Sequence, residues 1–402
     1  MDFEFSSSTH IIFGRNSVRK VPKLVHEKGN KVFIVTGRNT ERAEYIEKIL
    51  SKENIQKVHY SVEKEPTTGI ISRGVHLARE AGCNLVLGFG GGSVIDSAKA
   101  IAALTPNDGD IMDYLEVIGK GQNLKQKPLP LIAIPTTAGT GAEVTKNAVI
   151  HSPENQVKVS LRSSMMYPDT AVVDPELTCS LPPDITASTG MDAFTHLLEA
   201  YVSKQSNPFI DMICREGISR VAISLIKAFK NGADIQAREN MAFASLLGGI
   251  ALSHVKLGAV HGFAGPLGGI LPIPHGVICA ALLPAVIEVN CREAVRTGEM
   301  EILKKYNEVA KIITGNTHAR IEEGITWIYK TIHDIKIPKL TCFGLSEDYF
   351  PGLADKAENA SSMKGNPFIL NHNQRIEILK KTCFDKHEQT SFYAKKKQKP
   401  EE

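Results

Sequence analysis

The feature that most constrains the fold is the alternation of short β-branched segments with polar helical segments over the first 180 residues. The segments with a strand pattern are residues 31–36, 58–62, 84–88, 129–134 and 170–174. Helical patterns lie between them, for example over residues 70–81. Strands that alternate with helices form a parallel sheet with helices on both faces. The first part of the chain is therefore predicted to be an α/β domain built on such a sheet.

The pattern changes from about residue 184, where long helical periodicity replaces the strand-like segments. Residues 186–203, 209–229 and 238–252 carry apolar residues at helical spacing. We predict an α/β domain over residues 1–180 and an all-helical domain over residues 181–384. Residues 385–402 are polar and charged, and they are predicted to be a disordered tail.

Composition excludes several classes of protein. The 402 residues include 47 Lys and Arg against 44 Asp and Glu, and a net charge of +3 does not indicate a nucleic-acid-binding surface. No apolar run reaches the roughly 18 residues of a membrane span, and the first residues show no signal peptide. The seven cysteines are widely separated and include no CxxC pair, which is typical of reduced thiols in the cytoplasm. We expect a cytoplasmic protein of enzyme size, with neither nucleic-acid nor membrane partners.

A glycine-rich turn over residues 88–93 follows the third predicted strand. Gly90, Gly91, Gly92 and Ser93 lie where a predicted helix begins. Glycines let the backbone approach a pyrophosphate, and a helix N-terminus supplies free N–H donors and the positive end of its dipole. The spacing differs from the GxGxxG fingerprint of dinucleotide-binding turns. The turn is a candidate phosphate site, and an ordinary strand–helix turn is the alternative interpretation.

A second loop with glycines and hydroxyl groups follows the strand predicted at residues 129–134. It runs from Pro135 to Gly141 and includes Thr136 and Thr137. Open α/β sheets bind ligands at the carboxyl ends of their strands, where both loops are expected to lie. We predict that this loop adds donors to the same site, although an ordinary turn would also explain the loop alone.

Four side chains of the helical part form a candidate divalent-metal site. Asp192 and His196 are four residues apart, within about 40° of each other on one helix face, although a solvated polar stripe would also explain this pair. His261 and His275 each precede a glycine in an apolar stretch, where an unpartnered histidine is costly to bury. One carboxylate and three imidazoles suit Fe(II), Zn(II), Co(II) or Ni(II), and no thiolate indicates a structural zinc site. His254 is expected to pack or lie at the surface.

Taken in order, four motifs resemble those of the iron-dependent (group III) alcohol dehydrogenase family. They are GGGSVIDSAKA (residues 90–100), IPTTAGTGAEVT (134–145), GMDAFTHLLEAYVS (190–203), and VHGFAGPLGG followed by PHG (260–276). ASSMKGNP (360–367) is similar to the closing segment of that family, and the likeness extends from about residue 5 to residue 384. The resemblance implies a Rossmann-like α/β domain, a helical domain and an active site in the cleft between them.

The resemblance also implies roles for individual residues. The metal ligands would be Asp192, His196, His261 and His275, with Fe(II) as the expected ion and Zn(II) as the alternative. The contacts to NAD or NADP would involve Gly37, Arg38, Gly90, Gly91, Gly92, Ser93, Thr136, Thr137, Thr145 and Lys158. Within that set, the glycine-rich turn would hold the pyrophosphate and the threonines would line the nicotinamide and phosphate region. Asp96 and Lys99 would stabilise the helix that follows the turn or touch the ribose.

Two positions depart from the family pattern. Many members carry a second histidine in HGxxH, sometimes assigned to proton transfer, and this chain has Gly265 there. The four metal ligands are unaffected, but the proton route is left open and the pocket beside the metal should be roomier. NAD-preferring members often have an Asp at the end of the first strand, and this chain has Gly37 followed by Arg38. Where that carboxylate is absent, an arginine could pair with a 2′-phosphate, so we expect NADP to be accepted. The alternative is that Arg38 points into solvent.

The function implied by the resemblance is that of a metal-dependent alcohol dehydrogenase or aldehyde reductase. It would transfer a hydride between NAD(P) and a small primary alcohol or its carbonyl counterpart, with the metal as a Lewis acid. Phe263, Leu267 and Ile270 suggest an apolar pocket for an uncharged substrate. The family also implies a homodimer or a larger homo-oligomer.

Three alternatives stay open. A maleylacetate-reductase-type enzyme would reduce an acidic substrate and can dispense with metal, which the four filled ligand positions argue against. A non-redox lyase of the dehydroquinate synthase type would use NAD and metal with a different ligand set. A metal-bound structural subunit without turnover is supported only by Gly265.

Overall fold

The computed structural model of the protein describes residues 3–5, 7, 9–63, 65–155 and 157–383. The strands are β1 (His10–Phe13), β2 (Lys31–Gly37), β3 (Gln56–Val62), β4 (Leu85–Gly90), β5 (Leu131–Pro135), β6 (Asn147–Ser152), β7 (Val157–Arg162) and β8 (Thr170–Val173). The helices among the strands are α1 (Val21–Lys28), α2 (Thr40–Ser51), α3 (Thr68–Glu80), α4 (Gly92–Leu104) and α5 (Ile111–Tyr114). The tail predicted at residues 385–402 lies outside the described residues.

Six strands form one parallel sheet in the order β1-β8-β5-β4-β2-β3, which confirms the predicted parallel α/β architecture. The register pairs Thr36 with Phe89 and Gly90 with Pro135, so the carboxyl ends of β2, β4 and β5 lie side by side. The chain order reverses between β2 and β4, because β3 lies beyond β2 on one side and β5 beyond β4 on the other. A crevice that can take a ligand opens at such a reversal.

Helices cover both faces of this sheet. Val32 and Ile34 of β2 pack with α1 and α2 on one face, and Phe33 and Val35 pack with α3 and α4 on the other. All four side chains are buried. A strand that is buried on both faces carries apolar residues at successive positions. For this reason residues 32–35 of β2 form a continuous apolar segment in the sequence.

A separate antiparallel hairpin of β6 and β7 lies beside the parallel sheet and carries Lys158. A bridge between Thr67 and His151 joins this hairpin to the loop before α3. Neither the hairpin nor β1 is predicted by the sequence pattern.

The second part of the chain is helical, which confirms the predicted α/β plus all-α fold class. Its helices are α6 (Pro183–Val202), α7 (Pro208–Lys230), α8 (Ile235–His254), α9 (Ala259–Ile270), α10 (His275–Thr297), α11 (Met300–Thr314), α12 (Ile321–Asp334), α13 (Phe350–Glu358) and α14 (His372–Cys383). α6 packs against α7, α8 and α10 and is buried on nearly all sides, so polar side chains on it need partners. The domain limits at residues 180 and 384 stay predictions.

No helix in the described part of the chain has, by itself, the length and hydropathy of a membrane span. α8 and α9 meet those two criteria only when they are taken together, as a pair bent by 96°.

Candidate active site

Three helices bring the four predicted metal donors together. α6 presents Asp192 and His196 one turn apart, near the middle of its length. His261 is the third residue of α9, and His275 is the first residue of α10, directly after Pro274. Asp192 is 2 % exposed and His196 is 5 % exposed, so the polar stripe on α6 is buried rather than solvated.

The ring nitrogens of the three histidines converge on one carboxylate oxygen. Oδ1 of Asp192 lies 3.8 Å from Nε2 of His196, 3.5 Å from Nε2 of His261 and 3.6 Å from Nε2 of His275. Tetrahedral ligand atoms around a zinc-like ion are about 3.4 Å apart, which matches this spacing. Oδ1 is buried and has no hydrogen-bond partner among the described residues. Such an oxygen is costly unless a cation satisfies it, so the four residues fit a divalent metal.

Burial and charge set the protonation of the two α6 donors. Burial lowers the pKa of the His196 imidazole to about 4, which makes it neutral at pH 7. Burial alone would raise the pKa of Asp192, but the imidazoles of His196, His275 and His261 outweigh it and hold that pKa well below its usual range. Neutral imidazole and ionised carboxylate are the forms that bind a metal.

The other two imidazoles retain their protons more strongly. Burial would lower the pKa of His261 and of His275, but the neighbouring Cys279 and Asp192 outweigh it and raise both. A cation that binds here must displace those protons, so metal binding is expected to release protons to solvent. The His275 side chain is 42 % exposed, which leaves that side of the cluster open to a substrate.

Glu199 supports His261 from behind, and it is a residue that the sequence reasoning did not assign. Its Oε2 lies 2.7 Å from Nδ1 of His261, and Oε1 accepts a 2.7 Å hydrogen bond from the Val260 N–H. Glu199 follows Asp192 by seven residues, two helical turns, so the spacing itself places both on one face of α6. A carboxylate on one ring nitrogen turns the other ring nitrogen toward the metal position.

The segment that resembles the family's closing motif (residues 360–367) contacts the start of α9 through Asn366. Oδ1 of Asn366 accepts from the Ala259 N–H at 3.2 Å and from Nδ2 of Asn290 at 3.1 Å. Nδ2 of Asn366 donates to Oδ1 of Asn290 and to the Phe368 carbonyl, at 2.9 Å each. The segment thereby fixes the first turn of the helix that carries His261.

Cys279 is a second residue that the sequence reasoning did not assign. It lies one turn after His275 on α10, and its Sγ is 3.7 Å from Nε2 of His261. Asp192, His261, His275 and Cys279 each offer one ligand atom within 4.8 Å of the others. A thiol is therefore part of the cluster.

The glycine-rich turn is placed as predicted, at the carboxyl end of β4. Gly90 ends the strand, Gly91 precedes α4, and Gly92 and Ser93 begin it without a side-chain cap. The first N–H groups of α4 are therefore free to bind an anion. The turn adjoins the crevice between β2 and β4, where Gly37 ends β2.

The second loop contacts both the first loop and the metal helix. A Cβ on Gly92 would lie 2.7 Å from Cγ2 of Thr140, so only glycine allows the two loops to approach this closely. In the same way, a Cβ on Gly139 would lie 2.7 Å from Cβ of Thr189, three residues before Asp192 on α6. The loop therefore packs against both the glycine-rich turn and the helix that carries two of the candidate metal donors.

Arginines lie at the β2 side of this crevice. Arg38 is exposed and forms no ion pair with the described residues. Arg42, in the first turn of α2, donates to Oγ1 of Thr136 at 3.4 Å and to Oγ of Ser180 at 2.9 Å. Arg42 was not assigned from the sequence, because its position in α2 does not reveal the loop that it meets.

Thr145 and Lys158, two of the predicted cofactor contacts, bond to other side chains of the protein. Thr145 is buried, and its Oγ1 accepts a 2.8 Å hydrogen bond from Nζ of Lys99, which also pairs with Asp96 at 2.8 Å. The Asp96–Lys99 pair thus joins the middle of α4 to the segment that follows the second loop. Nζ of Lys158 lies 2.6 Å from Oε1 of Glu65.

At Gly265, one turn after His261 on the same face of α9, there is open space beside the helix. A Cβ on Gly265 would meet no atom within 4 Å, as the missing second histidine predicts. At Gly268, two turns after His261, a Cβ would lie 3.1 Å from Nζ of Lys158. Phe263 and Leu267, expected to line the pocket, lie instead on the opposite face of α9, fully buried in the helical core.

His254 lies outside the metal cluster, as predicted. Its ring stacks on Phe5 with centroids 4.1 Å apart, and Nδ1 lies 2.7 Å from the Ile250 carbonyl.

Comparisons with known proteins cover both parts of the chain. The family described as iron-containing alcohol dehydrogenase matches residues 8–175, and the C-terminal family of Fe-containing alcohol dehydrogenases matches residues 186–383. Alcohol dehydrogenase 4 of Schizosaccharomyces pombe is 35 % identical over 376 residues, which cover 92 % of this chain and 86 % of that protein. The residues that the two family models match include both glycine-containing loops and the four candidate metal donors.

Solved structures share the architecture. A crystal structure of 1,3-propanediol oxidoreductase matches with a TM-score of 0.88 at 31 % identity, over 95 % of this chain and 100 % of that one. Sulfoacetaldehyde reductase from Bifidobacterium kashiwanohense, solved with NAD+, matches with a TM-score of 0.84 at 26 % identity, over 95 % and 99 %. Neither enzymatic alternative, the maleylacetate reductase type or the dehydroquinate synthase type, is favoured by these comparisons.

Proposed function

The chain belongs to the iron-containing alcohol dehydrogenase family, and from this premise we propose that Asp192, His196, His261 and His275 hold the catalytic cation. The reaction is the oxidation of a small primary alcohol, or the reduction of its aldehyde, with a nicotinamide cofactor. One observation carries the proposal: three imidazole nitrogens lie 3.5–3.8 Å from a buried carboxylate oxygen that has no other partner.

The family supports iron and NAD, and the residues present suit both. When bound, the cation polarises the substrate oxygen and the nicotinamide exchanges a hydride with the substrate carbon. The free N–H groups of Gly92 and Ser93 bind the pyrophosphate at the start of α4. Thr137 of the second loop closes over the same turn, since a Cβ on Gly91 would lie 3.2 Å from its Cγ2.

The chain's own residues orient the reactants. The loop that includes Gly139 packs against α6, so it would hold a nicotinamide cofactor close to the helix that carries Asp192 and His196. The exposed edge of His275 leaves an approach for the substrate. Gly265 supplies no proton-transfer group, so the hydroxyl proton would leave through water or through the ribose of the cofactor.

Acceptance of NADP is part of the proposal. Gly37 leaves no carboxylate at the end of β2 to repel a 2′-phosphate, and Arg38 is exposed beside it. Arg42 adds a second guanidinium at the same end of the crevice. Arginine pairs with phosphate through two parallel hydrogen bonds, which favours the phosphorylated cofactor.

Three finer points complete the proposal. Iron is the resident metal and zinc a functional substitute, because carboxylate and imidazole donors bind both. The protein works in the cytoplasm, in keeping with its seven free cysteines. It assembles as a homodimer or a larger homo-oligomer, as the family resemblance implies.

An absorbance assay of the reduced cofactor tests the function. The full-length protein, reloaded anaerobically with Fe(II), is supplied with NADH or NADPH and a panel of short aldehydes. We expect metal-dependent oxidation of the cofactor that His261→Ala abolishes and His318→Ala, at an exposed histidine, leaves intact. Absence of turnover with the metal bound, or equal activity of both variants, would contradict the proposal.

A further inference from the structure

The thiol of Cys279 is a buried nucleophilic group to which the proposed function gives no role. It is 0 % exposed and lies one helical turn after His275 on α10. Its neighbours are polar: Sγ is 3.7 Å from Nε2 of His261 and within 4.8 Å of a ligand atom on Asp192 and on His275. Cys214 is equally buried, but among the described residues it belongs to no cluster of metal-ligating side chains.

We propose that Cys279 is a further ligand of the metal, so that the cation is held by carboxylate, imidazole and thiolate donors together. This inference rests on the metal site proposed above. As the ion binds, the S–H bond breaks, the proton leaves to solvent, and the sulfur donates its electron pair to the cation.

The distances support coordination. For a five-coordinate zinc ion, bonds of about 2.3 Å to sulfur and about 2.0–2.1 Å to nitrogen place neighbouring ligand atoms roughly 3.1–3.8 Å apart. The observed separation of Sγ and Nε2 of His261 is 3.7 Å. Both atoms are therefore at the right spacing to share one ion.

The neighbouring residues orient Nε2 of His261 and Oδ1 of Asp192 toward the same point. Glu199 occupies Nδ1 of His261, so the lone pair of Nε2 faces the cluster. Oδ1 of Asp192, buried and without a hydrogen-bond partner, lies 3.5 Å from the same Nε2. A cation between them accounts for the unpartnered oxygen, and Cys279 borders the position it would take.

The thiolate has a consequence for metal choice. Sulfur is a softer donor than oxygen or nitrogen, so it favours zinc and iron over magnesium and manganese. The site would then discriminate between ions that carboxylate and imidazole alone separate poorly.

X-ray absorption spectroscopy of the full-length protein loaded with Zn(II) tests this ligand directly. We expect one sulfur at about 2.3 Å beside nitrogen and oxygen at about 2.0–2.1 Å. Cys279→Ser should lose the sulfur and retain the nitrogen and oxygen, whereas Cys291→Ser, on the same helix, should keep it. Loading with Co(II) provides a second readout, because a thiolate ligand gives a near-ultraviolet charge-transfer band that should vanish in the Cys279→Ser variant.

The outcomes separate this inference from the proposed function. One zinc per chain with nitrogen and oxygen ligands alone would overturn the role of Cys279 and leave the metal site standing. A wild-type protein that binds no zinc would overturn both. The wild-type spectrum decides the matter even if a variant at Cys279 fails to fold.

Discussion

Oε2 of Glu199 lies 2.7 Å from Nδ1 of His261, and the same carboxylate accepts the N–H of Val260 at the start of α9. One buried side chain therefore fixes both the start of α9 and the orientation of the His261 ring. Because Nδ1–H is donated to Glu199, the lone pair of Nε2 is left for the metal.

Glu199→Gln should weaken metal binding without removing a ligand. The amide keeps the size of the side chain but is a weaker acceptor for Nδ1–H, so the ring loses basicity and fixed orientation. We expect the affinity for Zn(II) to fall by about 10–100-fold, the usual effect of losing such a partner. Competition with a chromophoric chelator measures the change.

Asp184→Asn is a matched control for Glu199→Gln, because Asp184 is an exposed acid on the same helix. This variant should bind zinc with wild-type affinity. Equal affinities for all three proteins would show that Glu199 does not position His261.

Arg38→Ala should change the preference between the two nicotinamide cofactors. The guanidinium is expected to bind the 2′-phosphate of NADP, and a charged hydrogen bond contributes about 1.5–3 kcal/mol. We expect kcat/KM for NADPH to fall by roughly 10–100-fold while that for NADH changes little. Gly37→Asp should act in the same direction, by repulsion.

Lys48→Ala, at an exposed lysine on α2, removes the same charge away from the crevice and serves as the control for Arg38→Ala. Its ratio of NADPH to NADH efficiency should match that of the wild type. A parallel loss with both cofactors in Arg38→Ala would contradict a contact to the 2′-phosphate.

The sheet interior is predictable from the sequence, and its margins are not. β2, β4 and β5 are buried along almost their whole length, so their residues form continuous apolar segments bounded by glycine or polar turns. β1 has four residues and no fully buried position, so it leaves almost no pattern. The β6–β7 hairpin is half-exposed, and its pattern does not stand out from that of a loop.

The candidate metal site is likewise only partly predictable from the sequence. Asp192 and His196 are recognisable because their spacing repeats one helical turn, and the two other histidines lie in motifs that resemble a family. Glu199 meets His261 across 62 positions of sequence, and Asn366 meets Ala259 across 107. Helical periodicity reveals which face a residue occupies but not which helix packs against that face, so these contacts and that of Cys279 need the structure.

Gly265→His should give the enzyme a titrating group beside the metal. The position faces open space one turn after His261, since a Cβ there would meet no atom within 4 Å. We expect kcat to acquire a pH dependence near the ordinary histidine pKa of about 6.5, with zinc affinity unchanged. Steady-state rates from pH 5 to pH 9 measure it.

Gly265→Ala separates the imidazole from the loss of glycine. Alanine is favoured over glycine inside a helix by about 0.5–1 kcal/mol, so this variant should be more stable and keep the wild-type pH profile. If Gly265→His also keeps that profile, the residue lies outside the path of the proton.

Glu143 is a buried acid, 3 % exposed, in the short 3-10 turn (Ala142–Val144) that links the second loop to Thr145. Burial raises its pKa from 4.5 to about 7, against the opposing effects of its own backbone N–H and of Lys99. The folded state therefore binds the proton more tightly than the unfolded state. This stabilisation is complete below pH 4.5 and is lost as the pH rises to about 7.

Glu143→Gln should remove this pH dependence, because an amide stays neutral. At pH 4.5 the variant and the wild type should unfold at similar urea concentrations, and by pH 8 the variant should be more stable by up to about 3 kcal/mol. The histidines of the metal site are common to both proteins, so their titration cancels in the difference. Glu63→Gln, at an exposed glutamate, should show no such trend. A difference that stays constant from pH 4.5 to pH 8 would mean that Glu143 is ionised in the folded protein throughout, with Lys99 near enough to offset its burial.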